Sequence, residues 1–441
     1  MFQNEEGGRR VVLIDDQHPE DLAMLQALYS RSGESVVDHL AKVAKSGSGK
    51  FMERYYVGYG HKSIADCGST TLFFEGVSML AAKAIQDWPL YCGQESSTRY
   101  LDFGARPVED PFQAGAHGEE SQVIIGRWLA FYRNAGERVS AEVRRRYPQH
   151  PDEKDGAYEG AVKERTFDIL RGFLPAGCTT QLSWHTNLRQ AGDHLIGLQR
   201  HPLAEVRALA RQARTLLSER YEGTAGAFGQ VNRAEADEWQ KMLAETTAYH
   251  DFPTTFPLFS TGISQHELSQ HADLIKNRPP RCVLPHWMTD FGYCQWNPQL
   301  DFGSFRDIQR HRNGVCRMPL LTTKFGFHPW YLEQLDAAMI GEAKDLIAMQ
   351  EDALAKFDPV QRQYLVAMGY RVQLHLTFAL PALVYIFELR SSKAVHPTLR
   401  AIVQQAIKQF RKRHPTVTLH VDEDPSHWDV RRGTQTIKEK S

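Results

Sequence analysis

The chain has 441 residues, 42% apolar and 10% aromatic, enough for one to three folded domains and too rich in aromatics for a disordered chain. Lys and Arg number 52 against 53 Asp and Glu, a formal charge of -1. That balance argues against a broad nucleic-acid or membrane footprint, which needs a basic excess, but allows a local cationic pocket for one small anion. Residues 1–10 do not read as a leader, and the longest apolar stretches are too short or too interrupted to span a bilayer, so a cytoplasmic location is expected. Cys67, Cys92, Cys178, Cys282, Cys294 and Cys316 include no close C-x-x-C pair, and His194 and His201 lack a second pair of ligands. Free thiols and no metal site are the reading.

In chain order, a strand is predicted over 11–14, then a helix from Pro19 with Glu20 and Asp21 in its first turn. The SGSGK stretch at 46–50 is a loop whose glycine spacing is wrong for a phosphate loop. A strand over 70–74 precedes a helix over 78–87. Amphipathic helices follow over 120–147 and 158–172, the second closed by Pro175, and then over 184–198 and 203–220. Residues 225–285 are turn-rich, with DFPTTFP at 251–257 and the pair Pro279-Pro280, and the domain boundary falls near their start. The second half repeats the order of the first. It has a strand over 292–296, a helix running into the charged cluster at 305–312, helices over 329–356, 360–389 and 397–413, and a polar tail from 415. Without gaps, 85–88 falls on 309–312, an offset of 224 (310 against 86). The expected fold is therefore α/β in the α+β sense: two tandem homologous domains, 1–225 and 226–441, each a small twisted sheet packed with long helices.

Three clusters in the first half could carry chemistry. They are Gly60-His61-Lys62-Ser63, then Gln94-Glu95-Ser96-Ser97-Thr98-Arg99-Tyr100, then Arg171 to Pro175. The second half contributes Arg310-His311-Arg312 and Arg390, at or near helix ends. Arginine forks match phosphate oxygens, and hydroxyls beside Arg99 add donors. The Glu-Ser-Ser-Thr run also fits a helix N-cap, and an Arg/His triplet also fits a solvated surface.

Taken together, Gly60-His61-x-Ser63, a strand and helix, and Ser97-x-Arg99-Tyr100 resemble the flavin-dependent thymidylate synthases. Arg171-x-x-Leu174-Pro175 and Asn187-x-Arg189 resemble later motifs of that family, and Leu389-Arg390 with Arg400 resembles its last one. The family domain is about half this chain, so two copies would cover nearly all of it. Where the family has R-H-R, the first copy reads Gln86-Asp87-Trp88, and the triplet stands in the second copy as Arg310-His311-Arg312. Conversely the second copy reads Leu321-Thr-Thr-Lys324 in place of S-x-R-Y, Pro285 in place of His61, and Ala379 in place of the asparagine.

The resemblance implies reductive methylation of dUMP to dTMP, with FAD as cofactor and methylenetetrahydrofolate and NADPH as co-substrates. In the family the nucleotide site is built across a subunit interface, which implies one composite site here, between the two copies. Arg390 would stabilise charge on the pyrimidine ring. Glu95, Ser97, Thr98, Arg99, Tyr100 and Arg171 would hold the nucleotide, and Arg310 would bridge nucleotide and flavin. Ser30, His61, Ser63, Asn187, Arg189, His311 and Arg312 would contact the cofactor. The assembly implied is a homodimer of fused pseudo-dimers. Another pyrimidine nucleotide as substrate, or a non-catalytic nucleotide- or flavin-binding scaffold, remain open alternatives.

Overall fold

The computed structural model describes residues 2–6, 9–99, 101–229, 238, 241–242, 258–280 and 282–425. Tyr100, the DFPTTFP stretch and the tail beyond 425 lie outside the described residues. The protein is mixed helix and sheet, and the sheets are small, with the strand pairings all antiparallel among those given below, as an α+β chain requires. Among the described residues no helix is long and apolar enough to cross a membrane, and no cluster of three or more His, Cys, Asp or Glu side chains could hold a metal ion. The six cysteines are free thiols.

Contacts divide the chain into two compact units. The first comprises residues 1–74, 90–95 and 182–248; the second comprises 75–89, 96–181 and 249–441. These units do not follow the expected halves, because the second takes two long stretches from the first half of the sequence.

The first unit opens with a hairpin of β1 (Phe2–Glu6) and β2 (Arg9–Leu13). Helix α1 (Pro19–Tyr29) starts at Pro19, whose fixed φ suits a first helical position. Helix α2 (Val36–Ser46) starts at the capping box of Ser35 and Asp38. Met24 and Leu25 of α1 and Val43 of α2 form a core cluster with Ile14, Leu22 and Phe51 packed on it. A short helix α3 (Gly49–Met52) runs into a π-helical turn at Glu53–Gly58, and a four-residue helix α4 (Lys62–Ala65) follows. Strand β3 (Ser69–Ser78) passes from the first unit into the second, where Ser78 caps α5 (Met79–Gln86) by accepting from the Ala81 N–H.

In the second unit the long helix α6 (Gly118–Arg146) packs on α7 (Asp155–Leu170). A 3-10 turn at Arg171–Phe173 ends the latter just before Leu174-Pro175, as the proline predicts. Strand β4 (Thr179–Asn187) then returns to the first unit and pairs with β3. The helix expected from 184 begins at Leu188 instead. Leu182, Trp184 and Thr186 are buried while their neighbours are less so, the two-residue period of a strand, and Asn187 caps α8 (Leu188–Leu198). Helix α9 (Ala204–Arg220) follows and packs on α8.

The rest of the second unit holds β5 (Phe259–Thr261), α10 (Gln265–Gln270), α11 (Ala272–Lys276), β6 (Tyr293–Trp296), β7 (Gln299–Asp301) and α12 (Phe302–Ile308). Then come β8 (Val315–Arg317), α13 (Pro329–Glu333), α14 (Ala337–Leu354), β9 (Arg371–Gln373) and β10 (His375–Ala379). Two helices close it, α15 (Leu380–Arg390) and α16 (Pro397–Arg413). Four strands form one sheet in the order β5-β6-β10-β8, and β7 pairs with β9. Two expectations are corrected here. The helix expected over 329–356 breaks at Gln334, where Asp336 caps a new helix. The helix expected over 360–389 is a 3-10 turn, two strands and α15; Val372, Leu376 and Phe378 are buried at a strand's spacing. Helix α12 also stops at Ile308, leaving Arg310-His311-Arg312 in the turn beyond it.

The order turn, strand, helix, helix occurs twice. Helices α8 and α15 both have 11 residues, and α9 and α16 both have 17. The capping residues Ser78 and Asp301 stand 223 apart (301 against 78), so the helix caps place Asp87-Trp88-Pro89 opposite the Arg-His-Arg triplet, one residue on from the gapless register. Within the second unit, residues 172–177 pair antiparallel with 364–369 in a reciprocal way. The Gly177 N–H donates to Tyr364 O and Gly369 N–H to Gly172 O, each at 2.8 Å. Ala176 N–H donates to Val366 O at 2.9 Å and Met368 N–H to Leu174 O at 2.8 Å. One offset of 192 (369 against 177, 364 against 172) maps each bond onto its mate, the pattern of an isologous two-fold contact.

This approach demands glycine. A Cβ on Gly177 would stand 2.5 Å from Glu109 O and 2.8 Å from Tyr364 O. Gly177→Ala is expected to cost about 1–3 kcal/mol through overpacking against backbone, read as a lower urea midpoint. Gly160→Ala, inside α7 with nothing within 4 Å of its Cβ, is expected to stabilise the protein by about 0.5–1 kcal/mol, read as a higher midpoint. Equal effects from the two substitutions would refute this account.

Candidate functional site

Four segments of the second unit bring their basic residues to one place. Three are helix C-termini, where unpaired carbonyls favour cations: the end of α7 with Arg171, the turn after α12 with Arg310 and His311, and the end of α15 with Arg390. The fourth is the loop 96–99. Thr98 is buried in it, and Ser97 Oγ accepts from the Arg99 N–H at 3.3 Å, fixing the local turn.

At the centre lies Asp307. Arg99 Nη2 is 3.9 Å from its Oδ2 and Arg310 Nη2 is 3.9 Å from its Oδ1. Its backbone carbonyl accepts from Arg390 Nη2 at 2.7 Å. Burial alone would push the Asp307 carboxyl up, but Arg99, Arg310, Arg171 and Arg390 together hold it well below the usual carboxylate range. A second carboxylate, Asp168, lies 2.8 Å from Arg99 Nε and 4.0 Å from Arg171 Nη1. Arg171 itself is only 3% exposed and donates through Nη2 to Ser304 Oγ at 2.8 Å. Ser304 in turn meets His396 Nδ1 and Thr398 Oγ1 at the start of α16. Arg310 is the exposed member, with about half of its side chain open to solvent.

Arg390 Nε donates to His311 Nε2 at 2.8 Å. A guanidinium has no acceptor, so Nε2 carries the lone pair and the neutral ring holds its proton on Nδ1. Burial, then the nearby Arg390, push the His311 imidazole down to about 3. His311 is therefore a neutral donor, not a cation, throughout the physiological range.

The remaining expected site residues lie in the first unit. His61 and Ser63 are exposed at α4, with the His61 ring near those of Tyr55 and Tyr59. Arg189 pairs with Asp66 at 2.6 Å and Asp193 at 3.2 Å, within the packing of α4 on α8. Asn187 Oδ1 accepts from the Gln190 N–H, so it is a helix cap, and Ser30 Oγ donates to Ala27 O. Glu95 forms a backbone bridge with Leu182. Thus Ser97, Thr98, Arg99, Arg171, Arg310, His311, Arg312 and Arg390 share the second unit, while Ser30, His61, Ser63, Glu95, Asn187 and Arg189 belong to the first. Tyr100 lies outside the described residues. Asp168, Asp307, Ser304 and His396 were not among the residues expected from sequence. For the two acids the signal was the three-residue spacing of Asp168 to Arg171 and of Asp307 to Arg310, which brings acid and base together at a helix end.

One pH dependence follows. In the folded protein His311 protonates near 3, whereas an unfolded histidine does so near 6.5. Between these values the unfolded state binds the extra proton, so stability falls as pH falls from about 6.5 toward 3. His311→Gln should flatten part of that slope in urea melts taken from pH 7 to 4; an unchanged slope would remove the buried neutral imidazole from the account.

The family model "Thymidylate synthase complementing protein" matches residues 12–221. A UPF0159 protein of Chlamydia pneumoniae is 25% identical over 425 residues, covering 84% of this chain and 79% of its own length. A UPF0159 protein of Thermoplasma acidophilum is 23% identical over 481 residues, covering 90% of this chain and 94% of its own. Similarity to these relatives thus extends well beyond the stretch matched by the family model. Over residues 12–221 the chain is thus similar to the thymidylate synthase complementing protein family.

Proposed function

We propose that the protein is an FAD-dependent thymidylate synthase that converts dUMP to dTMP with methylenetetrahydrofolate and NADPH, using one composite site made from two divergent copies, 1–225 and 226–441. The observation that carries this reading is the shared carboxylate. Arg99 and Arg171 come from the first copy and Arg310 and Arg390 from the second, and all four act on Asp307 within one compact unit. Each copy keeps what the other has lost, and the reciprocal pairing around Gly177 and Gly369 supports a two-fold relation between them.

The chemistry of the donors fits a nucleotide. Guanidiniums and hydroxyls converge where a phosphate monoester would need them, each charge-assisted bond contributing on the order of 1.5–3 kcal/mol. Arg99 and Arg171, with Ser97 and Thr98, hold phosphate and sugar; Arg310, the most exposed of the cluster, reaches toward the cofactor. Arg312 and the Nδ1–H of His311 are further donors to it, as are Ser63, His61 and Arg189 in the first unit. Glu95 and Tyr100 complete the nucleotide side, and Asn187 and Ser30 contribute near the cofactor through their local turns. FAD, when bound, supplies the redox chemistry and carries the one-carbon unit. Arg390 places fixed positive charge beside the pyrimidine ring as its C5 becomes nucleophilic, and the bonds to His311 and the Asp307 carbonyl hold that charge ready before reaction. As an assembly we propose a homodimer of the fused chain.

The test is the visible spectrum of the purified protein, followed anaerobically as dUMP and NADPH are added. Flavin that bleaches faster with dUMP, with dTMP formed when the folate is supplied, supports the reading. Bleaching indifferent to dUMP points to another pyrimidine nucleotide, and a colourless protein that takes up no FAD overturns the proposal. Arg390→Ala is expected to stay yellow and lose at least about 100-fold in methyl transfer.

A further inference from the structure

The last helix is followed by a segment, 414–425, that turns back across the second unit. Val417 and Leu419 are buried in it, so it packs as part of the fold. Two of its backbone N–H groups reach Glu388 and Ser391, which flank Arg390 at the end of α15.

On one side, the buried Arg278 guanidinium pairs with the Glu388 carboxylate and donates to Thr418 O at 3.2 Å. The His420 N–H donates to Glu388 Oε1 at 3.0 Å, and His420 Nε2 lies 2.8 Å from Arg278 O. On the other side, the Asp422 N–H donates to Ser391 Oγ at 3.2 Å. Arg400, 3% exposed, joins both partners: Nε donates to Ser391 O at 2.8 Å, and Nη2 donates to Asp424 O at 2.7 Å and lies 3.1 Å from Asp422 Oδ2. Gln404 Nε2 donates to Asp422 O, and Arg411 pairs with Glu423. A helix C-terminus with unpaired carbonyls frays unless such partners hold it.

We infer that segment 414–425 is a positioning strap: by clamping Glu388 and Ser391 it fixes the reach of Arg390 to His311 and to the Asp307 carbonyl. Arg400 and Asp422 are its positioning residues. The first copy offers a contrast. Arg207, which stands in α9 where Arg400 stands in α16 (207 after 204, 400 after 397), donates to His201 O and Pro202 O at the start of its own helix. Among the described residues, the ion pair to a returning segment is seen in the copy that carries Arg390.

The inference rests on the proposed function for its kinetic test and on geometry alone for its spectroscopic one. Arg400→Met in the full-length protein is expected to lower kcat about tenfold or more, because a misplacement on the order of 1 Å is costly in a preorganised site. The nucleotide KM should stay within about twofold, because Arg99 and Arg171 remain in place. Should Arg400→Met fail to fold, Ser391→Ala combined with Asp422→Asn releases the same end while leaving Arg400 present. The second readout is nitrogen NMR of His311, with no substrate. Arg390, Asp307, Arg310 and Arg312 face that ring, and withdrawal of Arg390 should raise its titration midpoint and change the Nε2 signal. Wild-type kcat with an unchanged His311 signal in a folded strap variant overturns the strap. A wild-type protein that does not respond to dUMP overturns the functional reading instead, while the His311 signal still decides the strap.

Discussion

Everything around the candidate site depends on one largely buried carboxylate. Asp307 faces Arg99, Arg171, Arg310 and Arg390, and without it those guanidiniums would confront one another across a poorly solvated space. Removing one partner from such a buried cluster typically costs about 3–5 kcal/mol, far more than a surface ion pair contributes. Asp307 also acts through its backbone, since its carbonyl takes the Arg390 Nη2 bond. The same residue therefore offsets part of the cluster's positive charge and fixes the direction of Arg390. Arg310, less constrained and half exposed, remains able to turn toward a ligand.

On the two-copy reading, this arrangement explains how a fused chain can divide labour. In a symmetric pair each copy must supply both the loop arginine and the helix-end arginine, so each site is compromised between two duties. Fusion removes that requirement. Asp87, Trp88 and Pro89 occupy the first copy's turn after α5, where the second has Arg310, His311 and Arg312, and Lys83 of α5 pairs with Asp87 instead of lining an anion site. The reciprocal backbone pairing of 172–177 with 364–369 is unaffected by that divergence, because it uses main-chain groups and two closely approached glycines. The scaffold keeps its symmetry while the side chains around it part company.

The sequence carried the helices more clearly than the strands. Helices α1, α5, α6, α7, α9 and α16 lie where capping residues, prolines and apolar periodicity placed them. The end of β4 and the strands β9 and β10 fall within stretches expected as helix, because β4 and β10 run directly into true helices at Asn187 and Ala379 and β9 lies just before β10. Over so few residues an apolar run fits both periods, and long-range pairing decides. The basic residues of the site stood out by type and motif. The acids did not, since Asp168 and Asp307 look like ordinary helix-surface carboxylates until tertiary packing buries them among arginines gathered from distant parts of the chain. Nor did the strap, whose polar composition at 414–425 suggested a loose tail; its order comes from Arg278, Arg400 and Gln404 reaching it from elsewhere.

The bond between Arg390 and His311 draws these threads together. Because arginine can only donate, it imposes a tautomer on the imidazole, and because the imidazole is buried beside that arginine, it stays neutral. A neutral ring does not compete with Arg390 as a further cation, so the positive field on that side of the site comes from guanidiniums, Arg390 foremost, and not from the imidazole. The ring instead presents a single directed N–H. Two adjacent polar groups thereby acquire separate duties, one a fixed charge and one a fixed hydrogen-bond donor. That separation holds only while the end of α15 keeps its place against the turn after α12, which is why Glu388 and Ser391, though neither belongs to the cluster, bear on the chemistry it supports.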